Sequence, residues 1–495
     1  MYFAQTSAPI TSDRGDGRFS YCDEETYFWY SCGVKLEDIR EEVFRLKPHF
    51  GEVVRLWGDK TLLEYYAQDF APLYEPSPDI LVAIQKETST LLGDDVGKKT
   101  YESLQSTKWV NTADHHGLLC HPYFYTSALA RSHSAIRKDS EVTITLPFGG
   151  VSLGNDSFPR GFFFHDTHGK IERIFFKSLK ERRMPVYALL PMKREELMHE
   201  RDRSLSFELT PHAREQLNYL FEKFLEDERI WNQETYSAQL TLMNSVLWHA
   251  LFGESRGEFV YLEIDSVVRR LLIEKHLVME TPIFKLIFDA PWRDAFVELF
   301  SGVFGSHSSD SGTHLFWYID YVQRTRRSLV VHKDTLTTRE GDVVIPLTLE
   351  HIAEGVRART LMPSTALTLI LVHGVEKLAC GGGSSQLTYQ SITMEKWNTL
   401  LGRFGEKADV PATNIYCGDN TLFQVTSPTT GTYSLATSID LLLYNSQISN
   451  TVDDALSVTT MGSVVDAMLP TLNHLYTKET MVQNFKLTLP NIIIQ

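Results

Sequence analysis

The apolar positions near the start of the chain repeat at the spacing of amphipathic helices. Residues 34–46 place their leucine, isoleucine and valine side chains three and four positions apart, which favours a helix with one buried face. A second helix is predicted to begin at Ser77 and Pro78, because serine is a good N-cap and proline fits the first turn, and to end at Gly93. The first hundred residues are therefore predicted to be mostly helical.

After residue 111 the pattern changes to short runs with strand character. Residues 141–146 alternate between polar and apolar side chains, and residues 161–165 and 171–176 are short runs with high β propensity. Turns that contain Gly and Asp separate these runs. Short strands joined by such turns are typical of hairpins rather than of βαβ units.

Helices and strands both recur in the rest of the chain. Helices are predicted at 210–225, 235–252, 265–276, 282–304, 347–360 and 363–378, and strands at 258–264, 313–320 and 328–332. The predicted fold class is α+β, with mostly antiparallel sheets of short strands surrounded by helices. Because no linker is visible, the division into regions follows the pattern alone: a mainly helical N-terminal region (1–110), an α+β core (111–345), and a C-terminal region that is first helical and then composed of Ser/Thr-rich strands (346–495).

Composition and charge exclude several classes of protein. The 495 residues are 43% hydrophobic and 12% aromatic, which allows a large core and excludes an intrinsically disordered chain. The net charge of −15 disfavours broad nucleic-acid binding, which requires a basic face. No apolar run approaches the roughly 20 residues that a membrane-spanning helix requires. We therefore predict neither a nucleic-acid partner nor a membrane partner.

The cysteines and the N-terminal residues indicate the compartment. The five cysteines have irregular spacings and include no C-x-x-C pair, so a disulfide framework is not expected in a chain of this length. The first residues lack the basic segment and the apolar core of a signal peptide. A soluble, reduced, cytoplasmic protein is predicted.

One stretch contains more groups able to bind a metal or transfer a proton than any other. Asp114, His115, His116, Cys120 and His121 lie within eight positions. Neutral imidazoles are the commonest protein ligands for zinc and also suit iron, and a carboxylate can complete or orient such a set. Adjacent histidines can face one site only in a loop, which the nearby glycine and proline favour. The alternative is that these histidines only pack and form hydrogen bonds with their neighbours.

Two families share a few of these residues. Asp114-His115-His116 resembles the signature of the DHH phosphoesterases, which also hold paired metals with an upstream Asp-x-Asp on a strand; here the upstream pair is Asp-Asp at 94–95. His115-His116 also resembles the start of the His-His-x-x-x-Asp-Gly motif of condensation-type acyltransferases, whose second histidine is the general base. In this chain Cys120 and His121 occupy the Asp and Gly positions of that motif. Each resemblance covers few residues, and neither family's fold is expected here.

A glycine-rich loop is predicted at residues 149–161. Its four glycines would let main-chain N–H groups approach a ligand, and Arg160 could contact a carboxylate or phosphate through two nitrogen atoms. Asn155 and Ser157 are the other candidate substrate contacts in this loop. It matches neither a Walker loop nor a dinucleotide-binding fingerprint. The alternative is a long hairpin loop with an Asn-Asp turn.

Further candidates lie at the ends of predicted strands. His165 ends the run at 161–165 and could complete a metal site, although a hairpin turn explains the residues after it equally well. His314 lies on a strand face with two aromatic residues and an aspartate, which suits either a pocket wall or a solvent face. A glycine turn at 381–383 could bind an anion through its N–H groups or could simply end a helix.

The favoured function is that of a cytoplasmic enzyme acting on a small substrate, which is expected to be anionic. The candidates for catalysis are Asp114, His115 and His116; for substrate binding, Arg160, Asn155, Ser157 and His314; and for a divalent metal, zinc or iron, His115, His116, His121 and His165. Metal-dependent hydrolysis and metal-free acyl or group transfer with His116 as general base are both open. The further alternative is a non-catalytic ligand-binding or interaction protein whose histidines are structural.

Overall fold

A computed structural model describes most of the chain. The residues it describes are 35–68, 70, 72, 74–137, 140–155, 160–307, 312–408, 416–429, 431, 433–445, 447–477 and 489–494, with the backbone alone for 134–137. The described residues from position 36 onward belong to one compact unit. The three regions defined above from the sequence stay a prediction.

Helices account for most of the regular structure in these residues. They are α1 Leu36–Leu46, α2 Pro48–Trp57, α3 Leu62–Tyr66, α4 Pro78–Leu92, α5 Asp94–Thr107, α6 Pro122–Arg137, α7 Arg194–Ser204, α8 Pro211–Glu226, α9 Glu228–Trp231, α10 Tyr236–Phe252, α11 Ile264–Leu271, α12 Pro282–Phe288, α13 Ala290–Phe300, α14 Leu349–Arg357, α15 Thr365–Leu369, α16 Ser384–Arg403, α17 Ser438–Tyr444, α18 Ile448–Val458 and α19 Met461–Thr477. Among the described residues, no helix combines the length and the apolar character needed to cross a membrane.

The strands are short. They are β1 Trp109–Asn111, β2 Val142–Thr145, β3 Phe162–His165, β4 Ile171–Ile174, β5 Glu258–Tyr261, β6 Phe316–Asp320, β7 Thr325–His332, β8 Thr335–Thr338, β9 Val344–Pro346, β10 Leu361–Pro363, β11 Ala379–Gly381, β12 Gln424–Thr426, β13 Tyr433–Leu435 and β14 Asn491–Ile492. The sheets have the orders β11-β1-β2-β5, β10-β6-β7-β8-β9, β13-β12-β14 and β3-β4.

The predicted α+β class is confirmed, and most strand pairs in the described residues are antiparallel. Several predicted helices form where their caps indicate. The Ser77 hydroxyl accepts the N–H of Ile80 at the start of α4, and Gly93 follows that helix with a φ of 97° that suits glycine. Thr210 caps α8 in the same way, so these local signals are sufficient to define the helix ends.

Several helices differ from those predicted from the pattern. The helix predicted at 282–304 is divided at Asp289, because Pro291 has no N–H to continue it and instead lies in the first turn of α13. The helix predicted at 363–378 begins only at Thr365 and continues as a π-helical segment, Ile370–Val375. Helix α16 follows the Gly381–Gly383 turn and was not predicted, so that turn begins a helix rather than ending one.

The largest departure is a parallel sheet. Strand β2 was predicted to belong to a hairpin, but it lies between β1 and β5 and is parallel to both. Its pairing with the chain after β1 continues beyond the strands, since the N–H of His116 donates to the carbonyl oxygen of Phe148 at 2.9 Å. On the other side of β1 lies β11, also parallel, with Trp109 opposite Ala379.

The order of this sheet indicates where a ligand would bind. From β1 the chain proceeds outward through β2 to β5, and β11 then returns to the opposite side of β1. In open sheets of parallel strands, ligands bind outside the carboxyl ends of the strands where the order reverses in this way. We name the residues that directly follow these four strands, 112–116, 146–150, 262–265 and 382–385, the carboxyl edge.

Candidate functional site

At the centre of the carboxyl edge, the Asp114 carboxylate contacts a guanidinium and a phenol. The hydroxyl of Tyr261, the last residue of β5, donates to Oδ2 of Asp114 at 2.5 Å, and Nη2 of Arg160 lies 3.3 Å from the same oxygen. Arg160 also donates to the carbonyl oxygen of Leu118 at 2.7 Å. Asp114 is 2% exposed and Arg160 is 1% exposed, so this ion pair is buried.

Burial makes Asp114 a weak acid. Removal from water raises the pKa of the Asp114 carboxyl to about 7, although the Arg160 charge and the Tyr261 hydroxyl act in the opposite direction. Among the described residues, Oδ1 of Asp114 has no hydrogen-bond partner, and the same is true of Nε and Nη1 of Arg160. A buried polar atom normally has a partner, and such exceptions are concentrated at functional sites.

The three histidines of the first stretch lie around this pair. The rings of His115 and His121 lie 6.1 and 4.9 Å from the ring of Phe124, and the ring of His116 lies 5.1 Å from that of Tyr261. Burial lowers the pKa of His115 to about 4, that of His116 to about 3, and that of His121 well below its usual value; the Arg160 charge adds to each effect. The imidazoles are therefore neutral near pH 7.

His116 has the most unusual surroundings of the three. It is fully buried, and neither of its ring nitrogens has a hydrogen-bond partner in the part of the chain that the structure describes. A neutral imidazole can donate from one nitrogen and accept at the other, so both capacities are unused. His116 could therefore donate a hydrogen bond to a ligand or accept one from it.

Two more acids follow β5 at the same edge. Oδ2 of Asp265 accepts the N–H groups of Gly149 and Gly150 at 2.7 and 3.1 Å, and Oε2 of Glu263 lies 3.1 Å from Nη2 of Arg359. Burial raises the pKa of the Asp265 carboxyl to about 7, and the charge of Glu263 adds to the effect. The glycine N–H groups thus bind a carboxylate, as predicted for an anion site, but the carboxylate belongs to the protein.

A further buried carboxylate lies where the strand order reverses. Oδ2 of Asp419 accepts the N–H and the hydroxyl of Ser384, the first residue of α16, at 2.7 and 2.9 Å. A Cβ on Gly383 would lie 2.3 Å from Oδ1 of Asp419, so this approach requires glycine. Burial raises the pKa of Asp419 to about 6, and its charge is one of the causes that raise the pKa of Asp114.

The sequence did not single out Glu263, Asp265 or Asp419. Glu263 lies at the end of the strand predicted at 258–264 and Asp265 directly follows it, and acids at the end of a buried strand are a signal that could have indicated them. Asp419 had no such signal, since it lies more than 300 positions from Asp114 in the chain. Only the sheet order brings it to the same edge.

Other predicted site residues lie elsewhere or cannot be placed. His165 is bonded to Asp440, with Nδ1 2.8 Å from Oδ2, and none of its hydrogen bonds in the described residues reaches the Asp114 cluster. Nδ1 of His314 accepts the N–H of Val331 at 2.8 Å. The N–H of Asn155 donates to Ser152, and Ser157 lies outside the described residues.

The predicted metal ligands are not gathered around one centre. Among the residues with described positions, no group of three or more His, Cys, Asp or Glu side chains is arranged to hold a metal ion. His115, His116 and His121 contact aromatic rings, and His165 is bonded to Asp440. A divalent metal, zinc or iron, stays a prediction.

Comparison with known proteins gives no identification. No model of a known protein family matches this chain, and no curated protein matches it. Function must therefore be inferred from the geometry of the chain itself.

Proposed function

We propose that this chain is an enzyme that performs proton transfer on a small anionic molecule at the carboxyl edge. Asp114 is the group that gives and takes the proton, Arg160 contacts the anion, and His116 forms a hydrogen bond with the substrate. The observation that carries this proposal is the Asp114 carboxyl, whose pKa is raised to about 7 and which is buried against Arg160, a side chain whose Nε and Nη1 have no partner in the described chain.

Asp114 suits this role better than His116, the alternative candidate for the general base. A general acid or base is most effective when its pKa is near the working pH, and the pKa of Asp114 is raised to about 7. The pKa of His116 is lowered to about 3, so its neutral form is a weak base. The alternative of metal-free acyl or group transfer with His116 as the base is therefore less favoured.

Arg160 gives the site its preference for anions. Its Nη2 is already bonded to Asp114 and to Leu118, whereas Nε and Nη1 have no partner among the residues described. Those two nitrogens point to different edges of the guanidinium, so each can donate one hydrogen bond to an oxygen of a carboxylate or phosphate. When Asp114 is protonated, Arg160 loses its negatively charged partner, and an anionic substrate would supply a new one.

Entry of a substrate requires a change in packing. The cavity beside Arg160, lined by residues that include Leu118 and Phe176, has a volume of about 10 Å³. A single water molecule needs about that much space, so any larger molecule must displace side chains. This requirement favours a small substrate and a site that closes around it.

The compartment and the metal remain parts of the proposal. Five unpatterned cysteines favour a reducing, cytoplasmic location. A metal-assisted version would use His115, His116 and His121 after rearrangement. Because these rings do not converge in the structure, the metal-free version is favoured, and the metal content of the purified chain tests the other.

The test compares the wild type with Asp114→Asn on a panel of small anions. Phosphate monoesters, carboxylic acids and thioesters are incubated with each protein, with and without EDTA, and products are followed by mass spectrometry. We expect turnover by the wild type and a loss of at least about 100-fold in Asp114→Asn, the order attributed to general acid–base catalysis. The exposed Asp454→Asn is the matched control and should be unaffected.

Two results would count against the proposal. Equal turnover by the wild type and Asp114→Asn would remove Asp114 from the chemistry. No turnover of any panel member, combined with the same phosphate binding in the wild type and in Arg160→Lys, would favour the non-catalytic alternative in which this cluster is structural.

A further inference from the structure

A second group of side chains has the hydrogen-bond order of a nucleophilic triad. Oγ of Ser434 lies 2.9 Å from Nε2 of His165, and Nδ1 of the same ring lies 2.8 Å from Oδ2 of Asp440. We propose that Ser434, His165 and Asp440 form an acyl-transfer site for esters or thioesters, with Ser434 as the nucleophile. This arrangement is independent of the Asp114 cluster and uses none of its residues.

The imidazole is held rigidly between two elements. His165 ends β3, and its main-chain N–H donates to Oδ1 of Asp440 at 2.7 Å while its carbonyl oxygen accepts the hydroxyl of Tyr444 at 2.6 Å. Asp440 lies in the first turn of α17 and also accepts the N–H of Thr437 at 2.7 Å. His165 and Asp440 are 0% exposed, so their relative orientation is fixed by packing as well as by hydrogen bonds.

This orientation selects the tautomer that catalysis needs. Because Asp440 is a carboxylate, Nδ1 of His165 is the protonated nitrogen and donates to it. Nε2 is then the acceptor, and the only group bonded to it in the described chain is the Ser434 hydroxyl. A hydroxyl that donates to a neutral imidazole held by a carboxylate is the activated nucleophile of a triad.

The nucleophile is the accessible member of the three. Ser434 is half-buried in β13, an edge strand of its sheet, whereas the imidazole and the carboxylate behind it are fully buried. Directly after β13, the N–H of Ala436 donates to the carbonyl oxygen of Phe423, the residue before β12, so the alternation of an antiparallel ladder turns the N–H of Leu435 away from β12. We assign that N–H, adjacent to the nucleophile, to the developing oxyanion.

The reaction proceeds in two balanced steps. In the first, Oγ of Ser434 bonds to the carbonyl carbon as its proton passes to Nε2 of His165; the bond to the alkoxide or thiolate breaks, and the leaving group takes that proton. In the second, water bonds to the acyl carbon and gives a proton to Nε2, the Oγ–C bond breaks, and Oγ recovers the proton. Asp440 keeps its hydrogen bond to Nδ1 of His165 throughout and orients the ring.

A purely structural role for the same residues predicts a different outcome. The His165–Asp440 pair joins β3 to α17, and Asp440 also caps that helix. Their contribution to stability would then be sufficient to explain why both residues are present. In that case the hydroxyl of Ser434 would be an ordinary hydrogen-bond partner. Its reactivity should then equal that of other serines.

The test is covalent labelling of the full chain with a fluorophosphonate probe. Attack by Oγ on phosphorus releases fluoride and leaves a stable adduct that peptide mass spectrometry locates. We expect Ser434 to be labelled at least 100-fold faster than other serines and the label to disappear in Ser434→Ala. Ser427→Ala is the matched control and should label normally, since the Ser427 hydroxyl donates to the main chain of His168 rather than to an imidazole.

The pH dependence gives a second measurement that needs no variant. The Asp440 carboxylate raises the pKa of His165 above its usual value despite burial. Because only the neutral imidazole accepts the proton, labelling of Ser434 should increase as pH rises from 6 to 9. Labelling of Ser434 no faster than other serines in the wild type, or persistence of the label in Ser434→Ala, would overturn the proposal.

Discussion

Replacement of Asp114 by asparagine should stabilise the protein at alkaline pH. The side chain keeps its size, but it can no longer ionise in a buried position. In the folded state burial raises the pKa of Asp114 from 3.8 to about 7. Between these two values the folded chain holds a proton that the unfolded chain has released, so the wild-type free energy of unfolding falls as pH rises through this range.

The size of the effect follows from the shift. One pKa unit corresponds to about 1.4 kcal/mol, so ionisation of Asp114 above pH 7 lowers the stability of the folded chain by about 4 kcal/mol. Between pH 5 and pH 8 the loss of stability is roughly 3 kcal/mol, because part of the interval between the unfolded and folded pKa values lies below pH 5. Near pH 5 the protonated acid and the amide are both neutral, so the two proteins should be similarly stable there.

Urea unfolding at pH 5 and pH 8 measures this difference directly. The wild type should lose roughly 3 kcal/mol more than Asp114→Asn between the two pH values, and the variant should be the more stable protein at pH 8. The exposed Asp454→Asn should follow the wild type. Parallel pH profiles for the wild type and Asp114→Asn, within about 0.5 kcal/mol, would refute the claim that burial raises the pKa of Asp114.

Three further predictions concern the same region and the thiols. Arg160→Lys should weaken phosphate binding at least tenfold in calorimetry and lower the free energy of unfolding by about 2–4 kcal/mol, since an ammonium cannot form the same set of contacts; unchanged binding would exclude Arg160 as the anion contact. Titration of denatured, unreduced protein should find five free thiols, and native Cys120 should not react at pH 8 because burial raises its pKa to about 12; a count of one thiol would indicate two disulfides. Gly149→Ala places a Cβ 2.1 Å from Oε1 of Glu263 and should lower the unfolding midpoint in urea by an amount equivalent to about 1–3 kcal/mol, whereas Gly402→Ala, with open space around it, should not.

Local signals explain which parts of the fold could be predicted. The start of α4 at Ser77 and the start of α8 at Thr210 depend on hydrogen bonds within three positions, so the sequence contains the whole cause. The parallel pairing of β1 with β11 joins residues 270 positions apart, Trp109 and Ala379. A strand of three residues has too little periodicity to show whether its neighbours are parallel.

The same distinction applies to the site. The cluster of Asp114 with three histidines was visible because its members lie within eight positions, and the structure does bring them together around Tyr261 and Phe124. Whether those imidazoles bind a metal or only pack cannot be decided by spacing, since it depends on where each ring points. Nothing in the sequence distinguishes Asp419 from the other acidic residues, of which the chain has 63 in all. Only the tertiary fold shows that its carboxyl is buried.

Stability alone does not account for three carboxyls with pKa values raised to about 6 or 7 at one edge of a sheet. Asp265 and Asp419 each accept hydrogen bonds from main-chain N–H groups, which repays part of the free energy that their burial requires. Asp114 also receives a main-chain hydrogen bond, from His115, but its Oδ1 has no partner among the described residues. Above pH 7 a neutral residue at this position would stabilise the fold more. Of these three carboxyls, Asp114 is the one with a buried oxygen that has no partner among the described residues, and it is where we expect proton transfer to occur.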